Sequence, residues 1–337
     1  MTERHLLDFR AGAPWSERAL EVHRRAAAVA WADAAHPSSE GRRAATWLDA
    51  ARATMRDLTG FPFVTFLPNR RAAVTAALDA LDAHRVCVPA THRQDVLARA
   101  DVVVPVTPDG AARWDEAAPP DAGSVFLLQH GNEETGVGDS PVPGARCILD
   151  ASQTLGRLPL PDDIDIVCAD LRAAGSPVDV GVVLARRDLG IDDLAQVPAV
   201  VVGVDALTAV WGTMDAAGAR TEEAMADFEA TVRGRVPDVQ FHGAHRAAHL
   251  RSLSVLHLDA ETLMRALDAR GWVVGSGSAC VRDGQPSHVL AAMGRITHGN
   301  LRLALPVGLD PTVLTDFADD LAAAVTRLRV EAGVDDL

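Results

Sequence analysis

The chain has no lysine and no tyrosine, and all 32 residues of its lysine-plus-arginine count are arginine. Without lysine no side chain carries a primary amine, so none can form a Schiff base with an aldehyde. Asparagine and isoleucine are scarce as well. A GC-rich coding bias accounts for this pattern as readily as selection does, and the chemical consequence is the same either way. Four cysteines in 337 residues are too few for a disulfide framework. No apolar run approaches the about 18 to 20 residues that span a membrane. Met1 to Phe9 carry charges and no apolar core, so no signal peptide is expected and a cytoplasmic location is the expectation. Positive charge is in deficit too: the net charge is -14, which argues against nucleic acid or an anionic membrane as main partner. No P-loop, dinucleotide fingerprint or Ser-His-Asp spacing is present.

What is present is an ordinary globular composition, 48% hydrophobic and 23% charged, with enough apolar residues for a large core. Apolar runs at 63–67, 85–89, 102–106, 124–129, 145–150, 164–169 and 180–185 read as strands. They alternate with helical patterns at 43–58, 71–83 and 94–100. This alternation predicts an α/β domain with a mostly parallel sheet and a site at the carboxyl ends of its strands. After Asp188 the rhythm changes to a helix over 205–233, a turn-like segment 234–240, a strand 252–258, a helix 260–269, a strand 272–275 and a final helix 311–332. The expected division is a large α/β domain over 15–220 and a small α+β domain formed by 1–14 and 221–337.

Four segments carry residues suited to chemistry. Gly275-Ser276-Gly277-Ser278-Ala279-Cys280 sets a thiol after small residues that leave it uncovered, whereas Cys87, Cys147 and Cys168 sit in apolar strand patterns and read as buried small hydrophobes. Asp150 in Asp150-Ala151-Ser152-Gln153 ends a buried strand, where a carboxylate is costly unless paired. His130-Gly131-Asn132-Glu133-Glu134-Thr135-Gly136-Val137 is a polar loop after another strand. Arg302 lies inside an apolar strand pattern, where arginine usually faces solvent or pairs with a carboxylate.

Taken together, these segments resemble the class V aminotransferase superfamily, and most closely its cysteine desulfurases. His36-Pro37-Ser38-Ser39 resembles an early Asn-Pro-Ser-Ser stretch, and His130 to Val137 an Asn-Asn-Glu-Thr-Gly loop. Ser276 to Cys280, with Pro286-Ser287-His288 and then Arg302, resembles the desulfurase branch in particular. The resemblance implies a fold-type I PLP-dependent transferase architecture and pyridoxal phosphate as cofactor. It implies that Asp150 would pair with the ring nitrogen, Gln153 with the ring hydroxyl, and Arg302 with a substrate carboxylate. Cys280 would carry a persulfide. A homodimer is also implied.

The departures cluster at the cofactor. The position of the Schiff-base lysine is Ala173, and the family's preceding His and Ser are Arg172 and Asp170. The phosphate loop reads Pro68-Asn69-Arg70-Arg71-Ala72 in place of small and hydroxyl residues. The ring-stacking His is Arg93, with His92 one residue early, and the second Asn of the loop is Glu133. Arg71, Arg93 and Arg172 are thus substituted cofactor positions. His242, His245 and His249 have a spacing that metals use, but Gly243 and the turn-like pattern disfavour one ligand face, and no metal is expected.

Three functional readings follow. The first is a degenerate desulfurase-like protein acting through a partner, either a lysine-bearing paralogue in a heterodimer or a sulfur-acceptor protein. The second is a Cys280-dependent persulfide carrier or sulfurtransferase. The third is a desulfurase holding pyridoxal phosphate non-covalently.

Overall fold

The computed structural model describes residues 4–117, 119–121, 123–244, 247–277 and 286–334. A short strand β1 (His5–Leu6) leads into α1 (Glu17–Val29) and α2 (Ser39–Thr59). There follow β2 (Phe63–Leu67), α3 (Arg70–Ala80), β3 (Arg85–Pro89), α4 (Gln94–Leu97), β4 (Val102–Val104), β5 (Ser124–Gln129), β6 (Arg146–Asp150), β7 (Ile166–Asp170) and β8 (Gly181–Ala185). Two helices, α5 (Val197–Trp211) and α6 (Met214–Arg235), precede β9 (Val239–His242), β10 (Leu250–Val255), α7 (Ala260–Asp268) and β11 (Trp272–Val273). The chain continues with α8 (His288–Ala292), β12 (Asn300–Ala304) and α9 (Thr312–Ala332).

The central sheet has seven strands in the order β2-β8-β7-β6-β5-β3-β4. β8 runs antiparallel to both of its neighbours, and every other pair is parallel. Strands covered on both faces need apolar residues throughout, and all six residues of β5 are buried. One face packs Met55 of α2, Phe66, Phe126 and Leu207 of α5 into a single cluster. The other packs Val74 and Ala77 of α3 against Leu127 and Ile148. The architecture is the mostly parallel α/β arrangement of fold-type I PLP-dependent transferases.

Local chemistry sets the helix starts. Ser38 caps α2 by accepting from the Gly41 N–H at 3.0 Å. A Cβ on Gly41 would lie 2.0 Å from the His36 carbonyl oxygen, so the tight entry to α2 requires glycine.

The C-terminal third builds a three-stranded antiparallel sheet, β12-β10-β9, over α6, α7 and α9. Leu7 joins that cluster, and β1 pairs in parallel with β11, so the N-terminal arm packs with this sheet. Two local expectations change. The helix expected over 205–233 is two helices, α5 and α6, bent by 74° at a break between residues 211 and 214. Residue 220 falls within α6. The turn-like segment 234–240 runs into β9. Among the described residues no single helix is long and apolar enough to cross a membrane.

Candidate functional site

The carboxyl ends of β3, β5, β6 and β7 place Thr91, Gln129, Asp150 and Asp170 along one edge of the sheet, where ligand sites form in open α/β sheets. Asp150 is 7% exposed, and its Oδ1 accepts from the Ser152 N–H at 2.9 Å. Its Oδ2 lies 3.8 Å from Arg93 Nη1 and 3.7 Å from His92 Nε2. His92 Nδ1 accepts from the Arg93 N–H at 2.8 Å, so the ring proton sits on Nε2, facing Asp150. Burial pushes this imidazole down to about 4, against the pull of Asp150, and it is neutral at pH 7. Burial opposes ionisation of Asp150 too, but the Arg93 guanidinium above all holds its carboxyl below the usual range. Arg93 also clamps Asp95 through two bonds of 2.9 and 2.8 Å.

Gln153 and Glu133 share a second pair of arginines. Glu133 Oε2 accepts from Arg10 Nη1 at 2.8 Å and from Arg70 Nη1 at 2.7 Å. With the Gln153 amide turned so that its oxygen faces them, the same two nitrogens donate to it at 2.9 and 3.0 Å. Burial works against the Glu133 charge, yet Arg10, Arg70 and Arg302 hold the carboxyl well below its usual range.

Arg302 is occupied as well. Its Nη2 donates to Asp8 Oδ2 at 2.7 Å, with both side chains buried. The pair sits over Gly275, which exchanges two backbone hydrogen bonds with Arg302. A Cβ on Gly275 would lie 2.1 Å from Asp8 Oδ2.

The remaining expected positions are spread around this centre. Ala173 is 1% exposed, in a short 3₁₀ turn after β7. Arg172 bonds Asp170 and lies 2.6 Å from Asp179. Arg71 is mostly exposed and 3.5 Å from Asp95. At the start of α3, Asn69 Oδ1 accepts from the Ala72 N–H at 3.0 Å, so the side chain takes a backbone donor that an anion would otherwise use. Cys280 and His245 lie outside the described residues. His242 Nε2 bonds Ser254 Oγ and His249 Nε2 bonds the Gln153 carbonyl, each at 2.8 Å, so the two histidines serve different contacts. No metal-binding cluster of His, Cys, Asp or Glu occurs among the described residues.

The loop after β5 is held rigidly. Asn132 Oδ1 accepts from the N–H groups of Glu134 and Thr135, both at 2.9 Å, and its Nδ2 donates to the Thr91 carbonyl and to Gln129. Glu134 Oε2 accepts from Ser287 Oγ at 2.7 Å, and its Oε1 is buried without a hydrogen-bond partner among the described residues. Burial pushes the Glu134 carboxyl up to about 7, against the Ser287 bond. A Cβ on Gly277 would lie 2.1 Å from Glu134 Oε1.

Of these groups, Arg10, Arg70, Arg93, Glu133, Glu134 and Arg302 line a cleft of about 420 Å³. Guanidiniums stay protonated, so the arginines can bind and orient oxyanions but cannot act as bases or amine nucleophiles. Among the cleft's acids, Glu134 is poised to hold or release a proton near neutral pH. Sequence reading brought Asp150, Gln153, Arg93 and Arg302 forward, and the structure gathers them. It missed Asp8, Arg10 and Asp95, whose partners are far along the chain or unremarkable in local pattern.

No protein-family model matches the chain. In sequence it is similar to a cysteine desulfurase IscS of Dictyoglomus turgidum, 26% identical over 203 residues, which are 53% of this chain and 52% of that protein. It is also similar to a cysteine desulfurase IscS of Methanosarcina thermophila, 28% identical over 182 residues, 46% of this chain and 44% of the relative. The chain therefore spans about half the length of the curated relatives it matches. In structure it is similar to a NifS-like protein over 97% of this chain and 100% of the other, at a TM-score of 0.83 and 17% identity, which shows the shared fold. The sequence likeness and the whole-chain fold together support the cysteine desulfurase/NifS-like class V aminotransferase superfamily as the relationship of this chain.

Proposed function

We propose that the chain is a desulfurase-fold protein without pyridoxal-phosphate chemistry of its own, serving sulfur metabolism through a partner. That partner is a lysine-bearing paralogue in a heterodimer or a sulfur-acceptor protein. One observation carries the reading: side chains at the expected cofactor contacts are engaged by charged groups of the same chain. Arg93 and His92 stand before the Asp150 oxygen that would meet a ring nitrogen. Arg10 and Arg70 hold the Gln153 oxygen that would meet a ring hydroxyl. A buried alanine takes the lysine position, and Asn69 takes a donor at the start of α3. The residues present do not fit the cofactor, and no catalytic step is assigned through it.

The test is an absorbance titration of purified protein with pyridoxal phosphate, followed by a sulfide assay on addition of cysteine. The expected result is neither a stable visible band nor sulfide release. A stable visible band, or sulfide release from cysteine, overturns the proposal.

A further inference from the structure

The most distinctive feature of the cleft is a closed square of donors and acceptors. Arg10 Nη1 and Arg70 Nη1 alternate with Glu133 Oε2 and the Gln153 amide oxygen, at separations of 2.7 to 3.0 Å. One carboxylate oxygen bridging two guanidiniums is the arrangement a free oxyanion adopts in an arginine site. Here the oxyanion belongs to the chain. It is also placed to leave: the Glu133 side chain is 20% exposed and lines the cleft. The backbone around it is pinned, because Asn132 fixes the N–H groups of Glu134 and Thr135 and its own N–H donates to the Val137 carbonyl at 2.7 Å. Rotation about the Glu133 side-chain bonds can therefore vacate the position without moving the loop.

We propose that Glu133 is a tethered, exchangeable occupant of an anion site built from Arg10 and Arg70, which the Gln153 amide oxygen holds in place from the other side, and that this site takes the oxyanion group of a small molecule, a phosphate monoester or a carboxylate. Arg302 adds its charge to the attraction on Glu133 while its own bond goes to Asp8. A tethered carboxylate competes at an effective concentration of roughly millimolar or more, so free anions bind the unaltered protein weakly. The inference rests on the reading above, since a bound pyridoxal phosphate would contend for Gln153.

Calorimetric titration with inorganic phosphate, and separately with acetate, tests it on the full chain. Glu133→Ala is expected to bind one of the two at least tenfold more tightly than the unaltered protein, and the preferred probe identifies the ligand source. Arg70→Met in the Glu133→Ala background should abolish that gain. If Glu133→Ala does not fold, Glu133→Gln, which keeps the bulk and removes the charge, should show at least a threefold gain. No gain in the variant that folds, or a gain that survives Arg70→Met, overturns the inference. The visible spectrum with pyridoxal phosphate is read in parallel. A stable band there defeats the functional reading, whereas unchanged phosphate and acetate affinity defeats only the exchangeable site.

Discussion

Arg302 Nη2 and Asp8 Oδ2 meet at 2.7 Å, across 294 positions of sequence and with both side chains nearly excluded from solvent. The guanidinium expected to receive a substrate carboxylate is thus given one by the N-terminal arm. Removing one member takes from the other a buried charge partner. Asp8→Asn and Arg302→Met are each expected to cost about 3 to 5 kcal/mol, and the double variant distinctly less than the sum. Urea denaturation of the four proteins reads the coupling, and additive losses would show that the pair does not act as a unit.

Gly275 makes that pair possible. An alanine there would place its Cβ against Asp8 Oδ2 and within 2.7 Å of Arg302 Nη2. Gly275→Ala is expected to destabilise by about 1 to 3 kcal/mol. The same change in an Asp8→Asn, Arg302→Met background should cost less, because the groups it displaces are no longer a buried ion pair. Thermal melts of both backgrounds check this.

Glu134 and Asp139 give stability a dependence on pH near neutrality. Burial raises both carboxyls to about 7, so between roughly pH 4.5 and 7 the folded protein holds protons that the unfolded chain has released. The stability that these two groups contribute is greatest below that window and is lost as pH rises through it, by at most roughly 3 kcal/mol for Glu134 and roughly 4 kcal/mol for Asp139, while the buried neutral imidazoles of His92, His130 and His249, held below their usual range, act in the opposite sense. Glu134→Gln should remove the Glu134 share of that loss and be more stable than the unaltered protein at pH 8. Denaturant midpoints at pH 5 and pH 8 measure it, and an unchanged difference between them would refute the assignment to Glu134.

Restoring the missing amine should not restore the chemistry. Ala173→Lys puts a lysine at a position that is 1% exposed, while Asp150 and Gln153 remain engaged by arginines. The expected outcome is lower thermal stability and no stable visible band with pyridoxal phosphate. A band from this single change would mean that the lysine was the only missing part.

The central sheet was legible because its strands are short apolar runs bounded by turn residues. The runs at 63–67, 85–89 and 124–129 are strands with those limits. The helix α1 was harder to read: its inward stripe is Ala19, Val22, Ala26 and Ala27, mostly small residues of which only Ala26 is fully buried, among many charges. In α5 the apolar residues lie all round the helix, which hides both its face and its end near Gly212. In the site, Asp150 and Gln153 stood out because their motif follows a strand. Asp8 and Arg10 did not, because the N-terminal arm gains meaning only when β1 pairs with β11 and brings it beside β12. Glu133 read as a lost asparagine, and its two arginine partners became visible only in three dimensions.

The fixed cations lining the cleft among the described residues are guanidiniums, so once Glu134 has ionised near neutrality the response of the cleft to pH is one-sided. Alkali finds nothing to discharge, since arginine keeps its proton far above any pH at which the protein would be handled. Acid meets carboxylates held low by those same arginines, Glu133, Asp150 and Asp95 among them. As they are neutralised in turn, the guanidiniums are left facing one another. The cleft should stay closed on itself in base and swell by self-repulsion in strong acid, a direction that a lysine-built site, able to shed its own charge, would not impose.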